Sequence, residues 1–156
     1  MALRDKFRED MNAAMKAKHA KRVATLRLVL ASLKELDMAS AETAAKGGAS
    51  EPEILSLLSK MIKQREESAA TYDAGKRPEL AAGEREEIAI IREYMPKQMS
   101  ETEVKTAAAK LIAELGANSM KDMGRVMAAM KEKYAGSMDF ARASALVKEQ
   151  LSQKSQ

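Results

Sequence analysis

Cysteine is absent from the 156-residue sequence. Disulfide scaffolds, thiolate nucleophiles, zinc ribbons and thiol redox chemistry are excluded with it. A single histidine, His19, leaves no pair of imidazoles for a metal site within one chain. Tryptophan is absent as well, and the aromatic residues are Phe7, Tyr72, Tyr94, Tyr134 and Phe140. These are too few for a base-stacking platform on one face. Apolar runs end after a handful of residues, far short of the ~20 that a membrane span needs. The opening Met-Ala-Leu-Arg-Asp-Lys lacks the apolar segment of a secretory signal, so the expected location is the cytoplasm and no membrane association is expected.

Helix formers fill the sequence. There are 29 alanines and 12 methionines against 7 glycines and 3 prolines. Ala, Met, Leu, Glu, Lys, Arg and Gln lose little side-chain freedom in a helix. Hydrophobic residues make up 46% and charged residues 32%, enough apolar material for a core.

Apolar spacing places the helices. Leu3, Phe7, Met11 and Ala14 form a first stripe, and Val23, Leu26, Leu30 and Leu33 a second. The polar Lys16–Arg22 stretch between them reads either as a break or as the middle of one long helix. Asp37 to Ser50 is small and polar and reads as a linker ending at Gly47-Gly48. Ser50-Glu51-Pro52-Glu53 is a capping box with proline in the first turn. It opens a helix carrying Ile54, Leu58, Met61, Ile62, Arg65 and Ala69, ended by Gly75 and Pro78. A fourth helix runs from about Leu80 to Tyr94 and stops at Pro96.

Ser100 and Glu103 form a second capping box, before Val104, Ala108, Leu111 and Ile112. Ser119 with Asp122 three residues on predicts another start, followed by Met123, Val126, Met127 and Met130. A last helix begins near Asp139. The expected fold is all-α: about four helices in residues 1–95, three in 96–152, and a frayed polar tail over 153–156.

Charge is uneven. Residues 1–50 carry 10 basic and 6 acidic side chains, residues 51–95 carry 7 and 10, and residues 96–156 carry 10 and 7. The basic C-terminal segment suits a polyanion such as RNA.

Catalytic constellations are hard to build. Glu66-Glu67 and Glu86-Glu87 are neighbours that point about 100° apart on a helix and read as solvated surface. No phosphate-binding loop, dinucleotide fingerprint or serine elbow is present. His19 lies in a lysine-rich stretch and reads as solvated. Met120, Met123, Met127 and Met130 recur at helical spacing and read as core filling, with an adaptable partner groove as the other possibility. Arg65 falls on an apolar stripe, so it must pair, snorkel or hold a ligand; a pair with Glu87 or Glu93 is expected. Lys121 and Arg125 lie one helical turn apart near a helix start, a reasonable phosphate site, with Lys97, Lys105, Lys131 and Lys133 as candidates for the same patch. No metal or cofactor is expected.

Three strings then stand out: Lys63-Gln64-Arg65, Tyr94-Met95-Pro96-Lys97-Gln98-Met99-Ser100-Glu101 and Asp122-Met123-Gly124-Arg125-Val126-Met127. With Arg27 in Thr25-Leu26-Arg27-Leu28-Val29, they make the chain resemble the GatB/YqeY family over about residues 1–152. The resemblance implies an N-terminal helical subdomain and a smaller C-terminal one. The latter is similar to the tail domain of the B subunit of aspartyl/glutamyl-tRNA amidotransferase, which grips tRNA. It also brings the label of a carbon–nitrogen ligase with glutamine as amido donor. The side chains disagree with that label, because residues for phosphate activation, magnesium binding or glutamine hydrolysis are not visible.

The expectation is a non-catalytic tRNA-binding or amidotransferase-associated module, with a protein-interaction module lacking RNA binding as the alternative. Its partners would be tRNA or a protein of the tRNA amidation pathway. Lys97, Lys105, Lys121, Arg125 and Lys131 are the expected phosphate contacts. Tyr94 and Pro96 are expected to fix the interdomain turn. Gly124 costs its helix about 1 kcal/mol relative to alanine, which points to close packing against a helix or an RNA backbone. The roles of Lys63, Gln64, Arg65 and Asp122 stay open.

Overall fold

The computed structural model describes residues 2–154, all helix and turn with no strand among them. The chain divides into two compact units between Met95 and Pro96.

In the N-terminal unit, α1 (Leu3–Lys16) and α2 (Ala20–Asp37) form a hairpin. The sequence left a break between them open, and the structure makes one. Lys18 takes the left-handed conformation at φ 59°. Its amide donates to Met15 O at 3.2 Å, and the His19 amide donates to Ala14 O at 2.9 Å. That is the usual helix-closing arrangement, with lysine where glycine is common. The stretch after α2 is not bare linker. Ser40 Oγ accepts the Thr43 amide and starts α3 (Ala41–Ala45), five residues long and too short to show periodicity.

The predicted capping box forms at Ser50 and Glu53 and opens α4 (Glu51–Ala74). Lys76, at φ 57°, closes the following turn. Pro78 does more than end α4, because it occupies the first turn of α5 (Pro78–Arg92), where its missing N–H has no helical partner to lose. Phe7, Leu26, Val29, Ile54, Leu58 and Ile91 are fully buried together.

A charged clamp closes the unit. The Arg4 guanidinium donates two hydrogen bonds to the Asp37 carboxylate and a third to Ala49 O at 2.7 Å. The Ala49 amide donates to Asp37 Oδ1 at 2.8 Å. Gly48 lies under the clamp at φ 108°, and a Cβ there would sit 2.6 Å from Asp37 Oδ1. The Arg4 bond holds the Asp37 carboxyl below its ordinary range.

In the C-terminal unit, the second predicted capping box opens α6 (Glu101–Leu115), and Gly116 ends it in the left-handed conformation at φ 64°. A 3₁₀ turn (Met120–Asp122) leads into α7 (Met123–Lys133), followed by α8 (Phe140–Lys154). Ala108, Ile112, Val126, Met130, Val147 and Leu151 form the fully buried centre. Met123 and Met127 pack against it, so the methionine run is mostly core. Met120 is 41% exposed and lies outside that core. The polar end expected to fray remains helical through Gln153 and Lys154, with Lys154 Nζ donating to Ala117 O at 3.4 Å. Ser155 and Gln156 lie outside the described residues.

Candidate nucleic-acid interface

Pro96 to Met99 enters the C-terminal unit along the turn between α7 and α8. Gln98 Nε2 donates to Gly136 O at 2.6 Å and the Met99 amide to Ser137 O at 2.7 Å. These bonds hold Lys97 at the end of the unit where α6 begins and α7 finishes. Lys131, in the last turn of α7, belongs to the same end. Lys105 lies one turn into α6, 3.7 Å from Glu101, and Arg142 approaches that carboxylate at 3.8 Å.

Lys121 and Arg125 occupy the opposite end. They do not share one regular helix. Lys121 sits in the 3₁₀ turn, and Ser119 Oγ accepts the Lys121 amide at 3.3 Å instead of capping at Asp122. Asp122 brackets the turn into α7. Its carboxylate accepts the Asn118 amide at 3.0 Å and Arg125 Nη2 at 2.9 Å. The Asn118 amide first, and Arg125 next, hold the Asp122 carboxyl below its usual range. Arg125 remains 54% exposed beyond this bond. Lys97, Lys121 and Lys131 are exposed and form no ion pair among the described residues. α7 is about 16 Å long, so the five cations form groups at two ends instead of one patch.

Gly124 corrects one expectation. Apart from its chain neighbours and its own helix's backbone, no atom lies within 4 Å of the position its Cβ would take. Close packing against another helix of this chain therefore does not account for it.

The other motif residues belong to the N-terminal unit. Arg65, with 14% of its side chain exposed, donates to Glu87 Oε2 at 2.8 Å and to Met61 O at 3.1 Å. Lys21 approaches the other oxygen of Glu87 at 3.3 Å, so one carboxylate joins α4, α5 and α2. Lys63 and Gln64 are exposed. Tyr94 is buried edge-on to Phe7 at 4.9 Å, and its hydroxyl donates to Asp10 at 2.6 Å. Burial, then the bond to Asp10, pushes the Tyr94 pKa upward. Tyr94 thus anchors the end of the N-terminal unit from inside its core; Pro96 is exposed just beyond. Sequence reasoning missed the Arg4–Asp37 clamp, whose partners are 33 residues apart. The signal available was Gly48 two residues before the helix-starting Ser50, which marks a tight turn without naming what presses on it.

Among the described residues, no group of three or more His, Asp or Glu gathers into a metal cage. No helix among them is long and apolar enough to cross a membrane. Buried side-chain polar atoms among them all have partners.

The molecule is therefore a small all-helical protein built from two helical units, with ion pairs that join helices in the first and exposed lysines at both ends of α7 in the second. The profile of the family described as Yqey-like protein matches residues 4–151. The chain belongs to this family. A relative from Clavispora lusitaniae, named Altered inheritance of mitochondria protein 41, mitochondrial, is 32% identical over 120 residues. The aligned part covers 75% of this chain and 66% of the relative.

Proposed function

We propose that this protein is a non-catalytic tRNA-binding or tRNA-amidotransferase-associated helical module whose C-terminal unit contacts the phosphate backbone. The observation that carries the reading is the free cations of that unit. Lys97, Lys121 and Lys131 project without ion pairs among the described residues, on a segment with 10 basic and 7 acidic side chains. Family membership and the similarity of the C-terminal strings to the amidotransferase tail support it. No aromatic residue accompanies Lys121 at the start of α7, and the Tyr134 ring at the other end lies under Lys133 at 5.7 Å, so recognition would rest on backbone and shape and not on stacking. Amide transfer itself is assigned to a separate enzyme. A cytoplasmic site of action is part of the proposal; fractionation of the tagged protein tests it against the mitochondrion named for the fungal relative.

A filter-binding titration with tRNA across a salt series tests the reading. Counterion release gives a slope of log affinity on log salt that scales with the phosphates neutralised. Lys121→Glu with Arg125→Glu is expected to weaken binding about tenfold or more and flatten that slope. Absence of binding at low salt, or an unchanged titration in the double variant, rejects it.

A further inference from the structure

The fold itself has no use for the glycine at position 124. Gly124 lies inside α7, where glycine is a poor helix former. Its backbone is helical and not left-handed, so no turn requires it. Outside its chain neighbours and its own helix's backbone, a Cβ there would meet nothing within 4 Å. Alanine would fit, and the helix would gain by it. Glycine is also the residue that lets a ligand come close to a backbone.

The bare position belongs to a longer strip. Val126 and Met130 of α7 are buried. At about 100° per residue, Gly124, Ala128 and Lys131 fall on the opposite side, with Arg125 and Glu132 along one edge. All five are exposed. Gly124 and Lys131 are about 10 Å apart along the axis. The strip thus runs from the Lys121–Arg125 end of α7 to the Lys131 end, and its centre carries nothing larger than the methyl group of Ala128. Arg125 donates Nη2 to Asp122 at 2.9 Å and is still 54% exposed. Lys121 and Lys131 have no ion pair among the described residues. Glu132 is the carboxylate that opposes them on the strip. Cations at both ends and a bare centre suit a negatively charged strand laid along the helix.

We infer that the sugar–phosphate backbone of tRNA lies along this strip of α7, with Gly124 at the point of closest approach. The inference rests on the tRNA-binding reading above and adds to it a contact that is not a charge. Lys121, Arg125 and Lys131 attract the strand, and the missing side chain at Gly124 sets how near the helix it settles. Such a contact positions RNA by shape and reads no base.

The test compares tRNA filter binding at low salt for the full wild-type chain, Gly124→Ala, Gly124→Gln and Ala145→Gln. The last adds the same side chain at an exposed position of α8. Both Gly124 variants are expected to melt at a higher temperature than wild type. Gly124→Ala is expected to weaken tRNA binding about threefold and Gly124→Gln about tenfold, while Ala145→Gln binds as wild type does. Net charge is the same in all four proteins, so a lost counterion effect does not produce the difference. A purely structural role for Gly124 does not raise stability and lower affinity together. A wild type that fails to bind tRNA rejects the functional reading and this inference with it. A wild type that binds, with Gly124→Gln no weaker than Ala145→Gln, overturns this inference alone and leaves the bare strip to a helix of another protein.

Discussion

The two units handle charge in different ways. In the N-terminal unit, long-range charged contacts join helices: Arg4 to Asp37, Arg65 and Lys21 to Glu87, and Arg22 to Glu93. In the C-terminal unit, the ion pairs are local or long, such as Lys105–Glu101 at 3.7 Å and Arg142–Glu101 at 3.8 Å. Its helices are held by apolar packing, and its turns by Gly116 and Gly136 in left-handed conformations. The first unit places Lys18 and Lys76 at comparable turns. The first unit uses charge to tie helix to helix, whereas the second leaves Lys97, Lys121 and Lys131 exposed without an ion pair among the described residues.

Breaking each unit in its own currency sharpens the contrast. The largest effect is expected in the apolar cores. Leu58→Ala in the first unit and Met130→Ala in the second should each lose about 3 kcal/mol, read by denaturant titration. A loss in one variant confined to its own unit, followed by amide exchange, confirms that the cores are separate.

Next comes the clamp. Gly48→Ala meets both Asp37 and Arg4 in a left-handed conformation and should cost about 2 kcal/mol. Gly116→Ala, with open space around its Cβ, should cost only the backbone strain, about 1 kcal/mol. Equal losses would remove the distinction between a crowded and a merely left-handed glycine.

Acid should weaken the Arg4–Asp37 clamp. The Asp37 carboxyl has a lowered pKa in the folded state, so its contribution is present above the ordinary carboxylate pKa of 3.8 and is lost as pH falls below it. Thermal melts from pH 6 to 3 should show this loss in wild type. Asp37→Asn should start less stable and show a flatter dependence over that range.

The smallest effects have the opposite sign. Lys18→Gly and Lys76→Gly relieve left-handed strain and should gain up to about 1 kcal/mol. Gly124→Ala removes a helical glycine with free space around it and should also gain, by less than about 1 kcal/mol. Differential scanning calorimetry reads all three.

Much of the fold was legible because its signals are local. Ser50 with Glu53 and Ser100 with Glu103 are written within four residues, and both capping boxes form. The Arg65–Glu87 pair was legible because a charge on an apolar stripe needs a partner. The break at Lys18 was ambiguous because lysine stands where glycine would signal a stop. α3 is shorter than any hydrophobic period can reveal, and the 3₁₀ turn at Met120 imitates a helix start through Ser119. At the candidate interface, residue type indicated which cations are present. Their division between the two ends of α7 depends on how Gln98 and Met99 attach to Gly136 and Ser137, and spacing along the chain does not encode that.

The Arg4 clamp also orders events in time. Arg4 is synthesised before its acceptors, and the Ala49 carbonyl comes 45 residues later. During translation α1 can coil, but it cannot be locked until that carbonyl has left the ribosome. Locking α1 thus needs a long loop closure, slower than forming any single helix, and the contacts of Tyr94 with Phe7 and Asp10 form later still.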